Sequence, residues 1–197
     1  MNFDYPKPLR FRPNNTRKPV MPDKDRRYLF SGAVVVEEKM DGKQLIVEGR
    51  RYVFCAEDLW KRHSISYAVP ARFMVFDMFD LENGYFLPPD EKHEAVLHYM
   101  KNAKALPEQL SCGVFPARTL RHGRFELEDI EKMVELPSPY AIEGRMEGLV
   151  VKPARALFYD EHLSGKVIRE EFEKGIKEHH MRKPAEFNVI NPRVEIQ

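Results

Sequence analysis

The stretch Ala33-Val34-Val35-Val36-Glu37-Glu38-Lys39-Met40-Asp41-Gly42 decides how this chain is read. Three consecutive valines form the kind of β-branched run that makes a buried strand, and the run closes on two acids and a lysine. Gly42 follows, a residue that permits a tight turn. Lys39 thus stands where a strand ends and a loop begins. An amine in that position becomes a nucleophile when desolvation or neighbouring cations lower its pKa, and a strand edge facing a pocket supplies both. Lys-x-Asp-Gly also occurs in ordinary exposed turns, so its meaning depends on the rest of the chain.

Outward from this stretch, Gln44–Val47 and Tyr52–Phe54 follow at short spacing and read as strands, as does Arg72–Asp77, after which Asn83-Gly84 marks a turn. From Asp90 to about Lys104 there is neither Gly nor Pro, Pro89 suits a first helical turn, and Ala95, Val96, Tyr99 and Met100 form an apolar stripe, so a helix is predicted. A second helix is predicted over Glu126–Leu136, from Leu127, Ile130, Met133 and Val134, and a third from Glu170 to about His179, with Phe172 and Ile176 one turn apart. Gly148–Lys152 reads as a buried strand stopped by Pro153. Helices appear only intermittently among closely spaced strands, which predicts an α+β fold of mixed, largely antiparallel sheet with flanking helices.

Composition bounds the rest. With 43% hydrophobic residues, 13 Phe and 8 Tyr, the 197-residue chain is long enough for one real core, and no apolar run is long enough to span a bilayer. The N-terminus lacks the plan of a secretory signal. Cys55 and Cys112 are isolated and belong to no metal-binding spacing, which points to free thiols in a reducing, cytoplasmic setting. The net charge of +1 hides a skew: residues 1–30 hold eight Lys or Arg, three Asp and five Pro. That stretch reads as an extended, poorly helical arm before a domain at 31–197. Either Arg10, Arg12, Arg17 and Lys18 lie along a phosphate backbone, or the arm is a solvated tail packed on the domain.

Several chemistries are unsupported. His93 and His98 are five apart, which on a helix separates them by roughly 140°, too far to share one ion as an i, i+4 pair would. His179-His180 reads as surface. There is no P-loop, no Gly-x-Gly-x-x-Gly and no Gly-x-Ser-x-Gly.

Two further stretches carry chemistry beside Lys39. Glu147 opens the strand Gly148–Lys152, so a carboxylate able to hold a divalent metal on phosphate oxygens stands at one end and a lysine able to offset phosphate charge at the other. Glu57 and Phe76 lie on neighbouring strands, where an aromatic can stack on a purine and a carboxylate can accept from a ribose. Each alone is equally an ordinary core strand.

In this order the pieces resemble the covalent nucleotidyltransferase superfamily of ATP-dependent DNA ligases, RNA ligases and mRNA capping enzymes. Lys39-Met40-Asp41-Gly42 resembles motif I, whose lysine becomes nucleotidylated; Ala56-Glu57 resembles motif III, with Ala where Gly is usual. The stretch around Phe76 is similar to motif IIIa, Glu147-Gly148-Leu149-Val150-Val151-Lys152 to motif IV, and Lys166-Val167-Ile168-Arg169 to motif V, which usually carries two lysines. Arg50 or Arg51 would serve as the motif Ia arginine. Gln44, where DNA ligases usually have Arg, and the passage Leu59–Tyr67 leading into Phe73–Asp77 are most similar to small RNA-ligase-domain proteins.

The resemblance implies a ligase-type adenylyltransferase domain with a nucleotide pocket between antiparallel sheets. It implies Lys39 as the residue that takes AMP from ATP, with Glu38, Asp41, Gly42, Glu57, Phe76, Glu147, Lys152, Lys166 and Arg169 around the nucleotide and Glu147 serving Mg2+ or Mn2+. RNA ends, or DNA ends, would be the partners. Too few residues follow Arg169 for a separate OB-fold, so grip on the substrate would fall to the arm or to a protein partner. A GTP-using capping-type enzyme and a non-catalytic nucleotide- or RNA-binding relative remain as alternatives.

Overall fold

The computed structural model describes residues 3–13, 19–175 and 186–196. Arg17, Lys18, Ile176, His179 and His180 lie outside them. In chain order the elements are β1 (Leu9–Arg10), α1 (Asp23–Phe30), β2 (Val34–Lys39), β3 (Lys43–Glu48), β4 (Tyr52–Asp58), β5 (Ala68–Val69), β6 (Phe73–Asp80), β7 (Tyr85–Phe86), α2 (Pro89–Lys101), β8 (Val114–Pro116), β9 (Thr119–Gly123), α3 (Leu127–Met133), β10 (Gly148–Pro153), β11 (Leu157–Phe158), β12 (Gly165–Ile168), α4 (Glu170–Gly175) and β13 (Val189–Ile190).

Two sheets carry the fold. One has the order β1-β12-β10-β2-β9, the other β11-β7-β6-β4-β3 with β8 beside β6, and β13 pairs with β5 apart from both. The α+β class and the antiparallel sheets stand as expected; the parallel pairs are β1–β12, β6–β8 and β5–β13. Pro89 opens α2 at its first turn, and Gly84 takes a φ of 74° in the turn between β6 and β7.

Strand alternation explains how the first sheet serves two purposes. Val34, Val36, Leu149 and Val151 point to one face, where Leu127, Ile130 and Val134 around α3 and Leu29 of α1 complete a core with Phe11 and Met21. Val35, Glu37 and Lys39 of β2, with Gly148, Val150 and Lys152 of β10, therefore point the other way, toward the second sheet. In that sheet Phe54, Val75 and Met78 pack against Val96 of α2.

The N-terminal stretch departs from its sequence reading. Residues Asp23–Phe30 are helical, with Asp23 and Asp25 in the first turn, where acids suit the helix dipole. Ahead of them, β1 adds an edge strand to the first sheet, and Tyr5, Phe11 and Met21 are buried. The supposed arm is part of the domain, because its apolar residues find a core that the local composition does not advertise.

Tyr5 shows how firmly it is held: its ring meets the Phe76 ring at 5.1 Å and the Phe86 ring at 5.9 Å, and its hydroxyl donates to the buried Asp77 carboxylate. Tyr5→Ala is expected to cost about 3–5 kcal/mol in urea denaturation. A loss below about 1 kcal/mol would mean that the segment merely rests on the surface.

Candidate active site

Lys39, the last residue of β2, is one quarter exposed, and its Nζ lies 2.5 Å from Glu147 Oε2. Gly148, the first residue of β10, opposes Lys39 across the β2–β10 pair, and Glu147, just before the strand begins, lies next to the lysine. Burial pulls the Lys39 pKa down, but Glu147 pulls it up by charge and hydrogen bond, with Glu57 and Asp41 behind it, and the balance is raised. The lowered pKa expected of a nucleophile is thus not found; Lys39 is an ammonium in an ion pair. Glu147 is raised as well, chiefly by desolvation, with Lys39 opposing.

Gly42 has a reason other than the turn assigned to it. Its φ is not positive; what forbids a side chain is space, since a Cβ there would stand 2.6 Å from the Asp58 carbonyl oxygen and 2.8 Å from the Glu57 side chain. That close approach lets the Gly42 N–H donate to Glu57 Oε1 at 3.0 Å. Asp41 holds the same loop, accepting from the Ser64 N–H at 2.7 Å, while its own N–H donates to the Tyr67 hydroxyl at 3.0 Å. Asp41 therefore braces the loop and does not line the cavity.

Phe76 is set by a β-bulge. Cys55 pairs with Asp77 and Ala56 with Val75, leaving Phe76 as the extra residue of β6. Such a bulge re-aims a side chain and leaves a backbone group out of the ladder. Here the Phe76 carbonyl accepts from Lys152 Nζ at 2.6 Å and from Lys92 Nζ at 3.0 Å. Both lysines are buried in a cluster with two acids: Lys152 lies 2.8 Å from Glu37 and 3.1 Å from Asp77, and Lys92 pairs with Glu37. Burial works against the charge on Lys152, yet Asp77 and Glu37 outweigh it and hold its pKa above the ordinary lysine value. Lys152, expected to offset phosphate charge, is instead committed to this buried cluster, though its side chain also reaches the cavity wall.

The cavity between the sheets measures about 260 Å³, close to the lower end of the roughly 300–1,000 Å³ of small-molecule sites. Lys39, Gly42, Glu57, Phe76, Lys152 and Lys166, all singled out in the sequence, line it together, and so do Gln44 and Val150. Glu38 reaches it too, but strand alternation sends its carboxylate to the far face of β2, where it lies 3.4 Å from Arg118. Arg169 does not join: it pairs with Glu135 and lies 3.6 Å from Glu171, beside a neighbouring groove. Of the basic arm residues, Arg12 is bound to Glu131 and Arg10 is buried, so neither belongs to an arm standing clear of the domain. Neither Arg50 nor Arg51 lines the cavity; Arg51 pairs with Asp80 at 3.2 Å.

Sequence reasoning missed Tyr5, Lys7 and Pro8, which wall the cavity from outside every motif, and Glu37. Glu37 was within reach, since it stands two residues before Lys39 on the same strand face. Among the described residues no group of three or more His, Cys, Asp or Glu is arranged to hold a metal by itself. Glu147 does not line the cavity but contacts Lys39, which does, a placement that suits the other arrangement, in which one carboxylate and substrate phosphate oxygens share the ion.

A lysine, a carboxylate and an aromatic ring thus line one cleft between two antiparallel sheets, with a second carboxylate against the lysine. The RNA ligase family matches residues 43–168, and the chain belongs to that family. Solved structures of a Naegleria gruberi RNA ligase are similar in fold. One, with pyrophosphate, has a TM-score of 0.54 at 18% identity, covering 77% of this chain and 54% of that one. Another, a variant with ATP and manganese, has a TM-score of 0.53 at 16% identity, covering 78% and 55%. This chain therefore spans about half the length of those structures. No curated protein matches it.

Glu57 gives the site a measurable pH signature. Desolvation, against the pull of Lys39 and the Gly42 N–H, pushes its pKa up to about 7 from 4.5. Between those values the unfolded chain has lost this proton and the folded chain keeps it, so stability falls as pH rises through the window and stays low above it. Glu57→Gln keeps the acceptor for Gly42 and removes the titration. The ligand-free variant is expected to melt about 2–4 °C above the parent at pH 8, with the difference closing near pH 4.5. A gap that does not change with pH would contradict the raised pKa.

Proposed function

We propose that this chain is an ATP-dependent RNA ligase that works through a covalent lysyl-AMP on Lys39. The Lys39 amine attacks the α-phosphorus of ATP; a nitrogen–phosphorus bond forms, the bond to the α,β-bridging oxygen breaks, and pyrophosphate leaves with that electron pair. Glu147, 2.5 Å from Nζ, is the adjacent acceptor for the proton the ammonium must shed. Phe76 stacks on the base, Glu57 faces the ribose, and Lys166 meets the phosphates. AMP then passes to the 5′-phosphate of an RNA end, freeing the lysine, and a 3′-hydroxyl displaces AMP to seal the strand.

The observation that carries this reading is the convergence of Lys39, Glu57, Phe76 and Lys166 on one cavity with Glu147 against the lysine. Mg2+ or Mn2+ would be held by Glu147 and phosphate oxygens, and when bound it supplies Lewis-acid neutralisation of the phosphate charge. Gln44 on the cavity wall, where DNA ligases usually have Arg, favours RNA over DNA. Two free thiols, Cys55 and Cys112, fit a reducing, cytoplasmic setting, and no described helix is long and apolar enough to cross a membrane. A protein partner that grips the RNA belongs to the same proposal.

One observation favours a second reading, a nucleotide-binding relative without chemistry: the raised Lys39 pKa describes a lysine tied down by Glu147. Intact mass after incubation with ATP and Mg2+ separates the two. The parent chain is expected to gain one AMP and Lys39→Ala none, with GTP leaving no adduct. Equal labelling of the Lys39→Ala chain would remove Lys39 from its role, and no adduct on the parent with any nucleotide and metal would leave the binding reading standing.

A further inference from the structure

β1 lies outside the matched family region, yet it extends the working face of the first sheet. The register runs Arg10 opposite Lys166, Lys166 opposite Val150, and Val150 opposite Glu37, so these four residues form one row across β1, β12, β10 and β2. Alternation confirms the facing: Leu9 and Phe11, on either side of Arg10, pack into the opposite core. Lys166, Val150 and Glu37 all line the nucleotide cavity. Arg10 is the row's outer end. It lines an adjoining groove of about 520 Å³ that shares Lys166 with the cavity.

Arg10 is an unusual resident of an edge strand, being only 6% exposed. Burying a guanidinium costs several kcal/mol, so a sequence free to choose would not place one there without return. Its surroundings supply a direction. The Glu147 carboxylate, itself paired with Lys39, attracts Arg10 against the effect of burial, in keeping with the row that the register draws toward the cavity. A planar fork beside a lysine, on the path out of a nucleotide cavity, has the geometry to grip phosphate oxygens in pairs.

We propose that Arg10 and Lys166 form a phosphate subsite that continues the nucleotide cavity into the adjoining groove, with Arg10 as its bidentate member. Its ligand chemistry is a phosphate that carries at least two unshared oxygens. Two sources offer it: the outer phosphates of ATP, departing as pyrophosphate, and the 5′-phosphate of the RNA that receives AMP. The inference deepens the ligase reading and rests on it for the identity of those two sources. The merely structural role for Arg10 would be to balance the charge of Glu147, which a lysine would also do.

The test uses the full chain with Arg10→Gln and Arg10→Lys. Inorganic pyrophosphate is titrated calorimetrically into each, with melting temperature as the measure of folding. Binding is expected to weaken roughly 10- to 100-fold in Arg10→Gln, and about threefold or more in Arg10→Lys, which keeps the charge but not the fork. Two kinetic arms then assign the source. Slower lysyl-AMP formation from ATP points to the outer phosphates. Slower AMP transfer from purified adenylylated chain to 5′-phosphorylated RNA points to the RNA end.

A folded Arg10→Gln chain equal to the parent in the titration and both arms overturns the subsite. So does an Arg10→Lys chain indistinguishable from the parent, which leaves only charge balance; this second variant decides the matter if Arg10→Gln does not fold. Should the parent form no lysyl-AMP, the ligase reading falls, while the pyrophosphate titration still decides the subsite.

Discussion

The two sheets are locked together by a buried, charge-neutral lattice. Glu37 and Lys152 come from one sheet, Asp77 from the other, and Lys92 from α2. Tyr5 donates to Asp77 Oδ2, and His162 Nε2 lies 3.5 Å from the same oxygen. Desolvation would neutralise Asp77, but Lys152 leads a set of neighbours that keeps it ionised, with its pKa below the ordinary carboxylate range. Such a lattice is a poor source of stability compared with well-packed apolar residues, but it penalises misalignment severely, because sliding either sheet would strand a buried charge. The same lattice takes up the Phe76 carbonyl, so the constraint that aligns the sheets also fixes the ring that walls the cavity.

Lys39 sits under a different regime from its buried neighbours. It is partly open, lines the cavity and lies against Glu147. The two buried lysines both lie against Glu37, and Lys152 also against Asp77. Placement alone thus gives the two lysines different surroundings: Lys152 and Lys39 both rise on the sheet face toward the cavity, one held between two acids and the other beside one.

Much of this was legible in the linear sequence because it depends on local pattern. The valine run, the Pro89 helix start and the Asn83-Gly84 turn are all decided within a few residues, and Lys39, Glu57, Phe76 and Lys166 follow from strand positions that the motifs mark. Hidden were the features that arise when distant segments meet. Nothing near Tyr5 or Arg10 announces that β1 will pair with β12, so the proline- and arginine-rich start reads as a tail. Lys152 reads as a phosphate ligand until Asp77 arrives from the other sheet, and Arg169 until Glu135 draws it aside. The lysine pKa was misjudged for the same reason: burial can be guessed from a strand, but the carboxylate that outweighs it comes from another one.

The parallel pairing of β1 with β12 has a consequence for how the molecule is made. One wall of the cavity comes from the opening residues, and the strand it zips onto is among the later ones to be synthesised. On a ribosome the leading segment must therefore wait, unpaired, while nearly the whole domain emerges. Contacts between such remote segments form slowly because the loop between them must first close. A nascent or truncated chain that has built its central strands would then hold a cleft lacking the wall of Tyr5, Lys7 and Pro8, and closing the cavity would be one of the last events of folding.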